Sequence, residues 1–298
     1  MTHTAAGPAV VAAVSDDVDR LLSAEPDVRQ DLPDSVHQMR VATRRLRSVL
    51  RSYRRVFRRR PVDELRDELR WLAGLLGVAR DAEVRAERFA ALLEQHPELA
   101  KKKFRIGGKD APARGLRKLL VTAERERYAA AHAEILTALD SERYRTLTAA
   151  LRTLLDDPPL REAYAQRPAE RFCRAVLRDD FHRVRRLVRL EPTLSEAERV
   201  EHLHDIRKAA KRLRYSADAA VPLLNGPAKS LSGNAKRLQT VLGDHRDAVE
   251  AEAAIRDRLR DSTNPAWQAL CEDEAAAARK SLEQYPATTE FLRKSFDG

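Results

Sequence analysis

A chain of 298 residues that is 43% hydrophobic and 34% charged is long enough for roughly two domains of about 150 residues and can build a real core, which excludes wholesale disorder. Its 56 Lys and Arg outweigh 46 Asp and Glu to leave a formal charge of +10, and Arg predominates, the side chain whose planar fork binds oxyanions bidentately. Two distant cysteines (Cys173, Cys271), no apolar run of membrane length and no basic stretch at the Met1 end argue against a disulfide scaffold, a membrane span and a signal peptide, so the chain reads as cytoplasmic.

Ala, Leu, Arg and Glu dominate and aromatics are scarce, so the expected fold class is all-α. Apolar periodicity predicts helices over about 8–24, 34–60, 62–76, 79–95, 113–139 and 142–155 in the first half of the chain. The second half predicts helices over about 168–189, 195–224, 227–242, 245–261 and 265–284. Pro33–Asp34–Ser35 offers an N-cap for the second helix, and Pro61 opens the third. Gly77 and Gly243 read as helix breaks. Asp81 and Asp247 then become N-caps that pair with arginines such as Arg80 and Arg246. The stretch His96 to Gly115, with Lys101, Lys102, Lys103 and Gly107–Gly108, reads as a solvated loop. Asp156–Asp157–Pro158–Pro159 through Arg167–Pro168 is the strongest breaker, and it sets the expected division into 1–157 and 158–298.

Self-comparison adds an internal repeat. His37-Gln-Met-Arg40-Val-Ala-Thr-Arg44-Arg45-Leu46-Arg47 matches His204-Asp-Ile-Arg207-Lys-Ala-Ala-Lys211-Arg212-Leu213-Arg214. Each is followed at nearly the same spacing by a second match, Leu76-Gly77-Val-Ala-Arg80-Asp81-Ala82 against Leu242-Gly243-Asp-His-Arg246-Asp247-Ala248. Duplication of one helical unit is the reading. It predicts two helical bundles of about four main helices each, related by a pseudo-two-fold axis around a basic central groove, with the repeated motifs facing across it.

At about 100° per residue, Arg40, Arg44, Arg47, Arg51, Arg54 and Arg58 form one stripe with His37 on its edge. Leu46, Val49, Tyr53, Val56 and Phe57 take the opposite, core-facing arc. No Asp or Glu occurs between His37 and Arg60, whereas an ordinary solvated helix interleaves acids at i+4. These cations therefore await long-range partners or an anion. His204, Arg207, Lys211 and Arg214 repeat the stripe in register, with Tyr215 at its edge as a hydroxyl donor. Arg171, Arg174, Arg178, His182, Arg185 and Arg189 form a third stripe, which Asp179 and Asp180 stand ready to neutralise. Residues 62–100 are by contrast acidic. Facing stripes would enclose a groove about 30 Å long, suited to a flexible polyanion. Stacking aromatics are absent from the Arg face, so phosphates are provided for and bases are not.

The repeated His-x-x-Arg-x-Ala-x-(Arg/Lys)-Arg-Leu-Arg motif, each copy followed by Leu-Gly-x-x-Arg-Asp-Ala, resembles the CHAD family, the conserved-histidine α-helical domain, over essentially the whole chain. The resemblance implies two four-helix bundles and binding of inorganic polyphosphate in a basic central cavity. By motif match, His37, Arg40, Arg44, Arg45 and Arg47 would line it from one half, and His204, Arg207, Lys211, Arg212, Arg214 and Tyr215 from the other. Arg51 and Lys208 extend the two sets, and Arg171, Arg174, Arg178, His182 and Arg185 are candidates from the third stripe. Family members are often fused to a CYTH triphosphate-processing domain. No such β-tunnel region and no Glu-x-Glu-x-Lys motif is found, so the chain reads as a stand-alone binding module without catalytic residues, cofactor or metal. Expected partners are inorganic polyphosphate and its granules, with nucleic acid bound only non-specifically and no membrane.

Two other function classes compete. A nucleic-acid-binding protein could use the same stripes. His204–Asp205 resembles the core dipeptide of metal-dependent HD phosphohydrolases, but the duplicated position reads His37–Gln38 and lacks the carboxylate. His202 and His204 lie on opposite helix faces and cannot chelate one ion. His37 and His204, each among arginines, are expected to be neutral near pH 7 in an empty groove and to take up protons when a polyanion binds. Cys173 and Cys271 read as buried hydrophobes, and Trp71 and Trp267 as core anchors.

Overall fold

Helix formers and cap signals produce a nearly all-helical chain, seen in a computed structural model that describes residues 4–107, 112–262, 264–294 and 296. Met1 and Gly108, on which parts of the reading rest, lie outside the described residues. The first half comprises α1 (Ala6–Ser23), the short α2 (Glu25–Arg29), α3 (Ser35–Ser52), α4 (Arg59–Gln95), α5 (Pro97–Ala100), α6 (Ala123–Leu139) and α7 (Glu142–Asp156). The second comprises α8 (Glu162–Ala165), α9 (Ala169–Leu190), α10 (Glu196–Leu224), α11 (Gly226–Leu259), α12 (Gln268–Glu283) and α13 (Tyr285–Thr289). The Ser141 hydroxyl accepts the Tyr144 N–H to open α7, and Ser195 with Glu198 forms a reciprocal capping box that opens α10.

Four local expectations need correction. Gly77 and Gly243 break nothing: α4 and α11 run straight through them, so Asp81 and Asp247 are interior residues and not N-caps. A single helical Gly costs only about 1 kcal/mol against Ala, and both glycines are buried, where packing outweighs that cost. Second, α3 ends at Ser52, not near residue 60; a 3-10 turn over Arg54–Val56 and an extended Phe57 follow. Third, the loop after His96 contains α5 and a two-stranded antiparallel ribbon, β1 (Lys103–Phe104) with β2 (Arg114–Gly115), anchored by the buried Phe104. Fourth, Asp34 adopts a left-handed conformation (φ 64°) and makes no side-chain cap; its carboxylate accepts from Gln38 Nε2 at 2.6 Å.

The chain divides into two compact units. The first comprises residues 1–76, 136–240 and 286–298; the second comprises 77–135 and 241–285. These units are set by packing and cut across the sequence repeats 1–157 and 158–298. The breaker at 156–159 does end α7, but it lies inside the first unit, because both motif helices, α3 and α10, bury their apolar faces against one another there. Along the chain, the first unit is left at Leu76, at the Leu-Gly of the first repeat, and at Thr240, two residues before that of the second.

In the first unit α1, α3, α9 and α10 pack together. Val10, Val14, Val18 and Leu21 of α1 meet the core, as do Met39, Leu46, Val49 and Leu50 of α3. Leu177, Phe181 and Val184 of α9 and Ile206 and Leu213 of α10 complete it. Each such fully buried Leu, Val or Phe contributes roughly 1.5–3 kcal/mol. Tyr53, Val56 and Phe57 are also buried, although they lie past the end of α3, in the 3-10 turn and the extended segment rather than on its apolar face. Cys173 is buried here too, and burial pushes its thiol up to about 11. Trp71 is only half-buried; the Arg143 guanidinium lies over its ring at 4.2 Å.

The second unit has its own core of Phe89, Leu92, Leu116, Leu120, Ile255, Leu270 and Trp267, with Cys271 at its side. Its buried carboxylates are locally paired. Buried Glu124 takes both Arg85 and Arg258, and Arg88 grips Glu274 with two nitrogens.

Candidate functional site

The first unit holds a cavity of about 470 Å³, within the usual range for ligand sites. Helix α3 supplies Arg44, Arg47, Ser48 and Arg51 at one-turn intervals, and α4 supplies Arg66 and Arg70 from its first turns. Helix α9 adds Arg183 and Leu187, and α10 adds Asp205, Lys208, Ala209, Lys211, Arg212 and Tyr215. The lining is overwhelmingly cationic. Its one carboxylate, Asp205, is tied to Lys208 at 2.6 Å, which holds it below the usual carboxylate range.

Behind the lining, two buried carboxylates hold the arginines that follow Arg44 and Lys211 in the repeated motif. Asp180 Oδ1 takes Arg212 Nε at 2.7 Å, while its Oδ2 accepts the hydroxyls of Ser52 and Ser216, each at 2.8 Å. Arg212 Nε also donates to Ser52 at 3.0 Å, and the Tyr53 hydroxyl donates to the Ser216 carbonyl at 2.8 Å. This network ties the end of α3 to α9 and α10 and fixes Arg212 in the cavity wall. At the corresponding place of the first repeat, Arg45 Nε meets the fully buried Asp17 of α1 at 2.6 Å, and its Nη1 reaches Asp218 of α10 at 3.5 Å. Burial outweighs the Arg45 and Arg20 guanidinia and raises Asp17 to about 6.

The cavity cations press on one another. Lys211 is driven down to about 7, first by burial and then by Arg44, Arg207, Arg40 and Lys208. Burial, together with Arg70, Arg66 and Arg51, lowers Arg47; burial, with Arg212, Arg183 and Arg66, lowers Arg51. Arg44 donates to the Tyr215 hydroxyl at 3.2 Å, and the Tyr215 ring is itself buried. Among the described residues, Arg44, Arg47, Arg51, Arg183 and Lys211 have no carboxylate partner, whereas Arg66 and Arg70 pair with Asp63 and Asp67.

The candidates from the sequence thus sort into groups. Arg44, Arg47, Arg51, Lys208, Lys211, Arg212 and Tyr215 line the cavity. His37, Arg40, His204 and Arg207 sit half-buried nearer the starts of α3 and α10 and outside the lining, though Arg40 and Arg207 act on Lys211. Arg45 is committed to Asp17, and Arg214 to Asp218 and Gln239 at 3.9 and 3.4 Å. Arg171, Arg174, Arg178, His182 and Arg185 are not lining residues: α9 buries Asp180 inward, which turns Arg183 and Leu187 to the cavity. Arg54 and Arg58 leave the stripe where α3 ends. Arg66, Arg70 and Arg183 were missed. The signal for the first pair was their i, i+4 spacing on a helix whose overall acidity concealed it. Among the described residues, no group of three His, Cys, Asp or Glu side chains is placed to hold a metal ion, and no helix is long and apolar enough to cross a membrane.

A helical protein whose two His-Arg helices wall a cation-lined cavity defines a recognisable class. The chain belongs to the CHAD domain family, whose model matches residues 12–256. It is 35% identical over 297 residues to the uncharacterized proteins MT2285 and Rv2226 from two Mycobacterium tuberculosis strains, CDC 1551 / Oshkosh and H37Rv. That match takes in 95% of this chain and 53% of each relative, so the chain spans about half the length of the curated relatives it matches. Among solved structures the fold is similar to PptA from Streptomyces chartreusis (TM-score 0.74, 19% identity, 95% of this chain and 99% of that one). It is also similar to the CHAD domain from the plant Ricinus communis (TM-score 0.69, 22% identity, 98% and 94%).

Proposed function

We propose that the cavity binds inorganic polyphosphate, and that the chain is a binding module that brings whatever it belongs to onto polyphosphate, granules included. The observation that carries this reading is the convergence of nine Lys and Arg from four helices on one cavity whose single carboxylate is already neutralised. Between Arg44 and Arg51, α3 presents cations along about 10 Å at 1.5 Å per residue, a run suited to successive phosphates of one chain. The lining offers fixed donors and no stacking platform, since Tyr215 is buried and occupied by Arg44. That favours phosphate over base recognition.

Calorimetric titration at physiological salt with long-chain polyphosphate, single-stranded DNA and duplex DNA tests this reading. Polyphosphate should bind tightest and displace both nucleic acids. Equal affinity for all three would replace the reading with non-specific polyanion or nucleic-acid binding. Metal-dependent phosphate release from a panel of phosphoesters would replace it with phosphohydrolase activity.

A further inference from the structure

Outside the cavity, a second set of arginines is gathered by a backbone frame. After α3 the Arg54–Val56 turn pairs with the segment beyond α7. The Arg58 N–H donates to the Pro159 carbonyl at 2.6 Å, the Arg161 N–H donates to the Val56 carbonyl at 2.8 Å, and Phe57 bridges Leu160. Arg54, Arg55, Arg59 and Arg161 thereby line a separate cavity of about 380 Å³ in the same unit, with Phe57, Val62, Asp63 and Tyr164. Arg161 and Arg167 lie over the Tyr164 ring at 4.7 and 4.3 Å, which presets the Arg161 fork. The charge here is incompletely balanced. Asp63 is shared by Arg59 at 3.1 Å and Arg66 at 2.7 Å, and among the described residues Arg55 has only the exposed Asp179 at 3.6 Å. Among the described residues Arg54 and Arg161 make no ion pair.

Arg54 of this second set acts on the first cavity through charge. Arg54 follows the cavity residue Arg51 by one helical turn's worth of chain, and it joins Arg183 and Arg66 in depressing the cavity residue Arg212.

We propose that this second cavity is an anion site that takes the continuation of a linear polyphosphate held in the first, with Arg54 at the junction and Arg161 as the far anchor. It rests on the polyphosphate reading of the first cavity, and it makes chain length the property the protein selects. A triphosphate fits the first cavity alone; a long chain engages both.

The test compares triphosphate and long-chain polyphosphate binding to wild type and to an Arg54→Ala, Arg161→Ala double variant, with the Lys–Lys double variant as the charge-preserving control. The Ala variant should bind long chains about tenfold more weakly, with the log–log salt slope reduced by about 1.4 for two contacts on a flexible chain. Triphosphate affinity should change less than about twofold, and the Lys variant should recover most of the long-chain affinity. Long-chain binding equal to wild type would overturn the second site, as would an equal loss for both ligands in a variant of unchanged helicity. Failure of wild type to bind either ligand would instead overturn the reading of the first cavity.

Discussion

Lys211 should couple polyphosphate binding to proton uptake. Burial and four neighbouring cations bring it from 10.5 to about 7. At 1.36 kcal/mol per pH unit, that is up to about 4–5 kcal/mol against its charged form. Its folded value is below its unfolded one, so the unfolded chain binds more protons between pH 7 and 10, and stability rises with pH across that window. A bound polyanion supplies the missing negative charge and returns Lys211 towards 10.5. Binding above pH 7 must therefore take up a proton. If the bound lysine recovers its ordinary value, affinity falls by up to about 50-fold from pH 7 to 9 and flattens below pH 6. Calorimetry in buffers of different ionisation enthalpy, at constant ionic strength, reads the proton directly. A Lys211→Gln variant should lose that dependence, melt higher than wild type below pH 7, and differ least from it in affinity at pH 9. A wild-type affinity that is flat from pH 7 to 9, or a Gln variant with the same slope, would refute the reasoning.

Other outcomes follow from the same geometry. Arg44→Ala, Arg47→Ala and Arg51→Ala combined should abolish most binding without lowering the melting temperature, because the removed charges repel one another. Arg45→Ala should instead cost about 3 kcal/mol of stability at pH 7 by stranding the buried Asp17, and less at pH 5, where Asp17 accepts a proton; denaturant titration at the two pH values separates the two behaviours. Asp180→Ala should destabilise the fold by about 3–5 kcal/mol and loosen Arg212, read by urea unfolding, and polyphosphate should restore part of that loss. In the second unit, hydrogen bonding to Asp273 raises the His96 pKa, so the stabilisation is present below its unfolded value and is lost as pH rises through the folded one. His96→Gln should remove that step from melting temperature against pH.

The helices and the cationic face of α3 and α10 were legible because helical periodicity separates Arg44, Arg47 and Arg51 from Leu46, Val49 and Tyr53 without any tertiary information. The end of α3 was not. Arg54 and Arg58 continue the helical period, and only the pairing of Phe57 with Leu160, a hundred residues away, takes them off it. Gly77 and Gly243 misled in the opposite direction, because burial overrode a small local cost. Helix α9 shows a third kind of limit. Its Arg stripe was plain in the sequence, yet Asp180, which looked like that stripe's neutraliser, belongs to Arg212 and sets which face turns inward. Arg45 and Arg214 likewise sit in the repeated motif but spend their charge on Asp17 and Asp218. Sequence spacing identifies which cations share a face; only packing decides which already have partners.

The most direct test of the central claim is the salt dependence of long-chain polyphosphate binding. Five cavity cations without carboxylate partners, at about 0.7 each for a flexible chain, give a log–log slope of about −3.5 or steeper. That slope should collapse in the Arg44, Arg47, Arg51 triple Ala variant. A slope near zero, or a steep one that the triple variant leaves unchanged, would contradict the assignment of polyphosphate to this cavity.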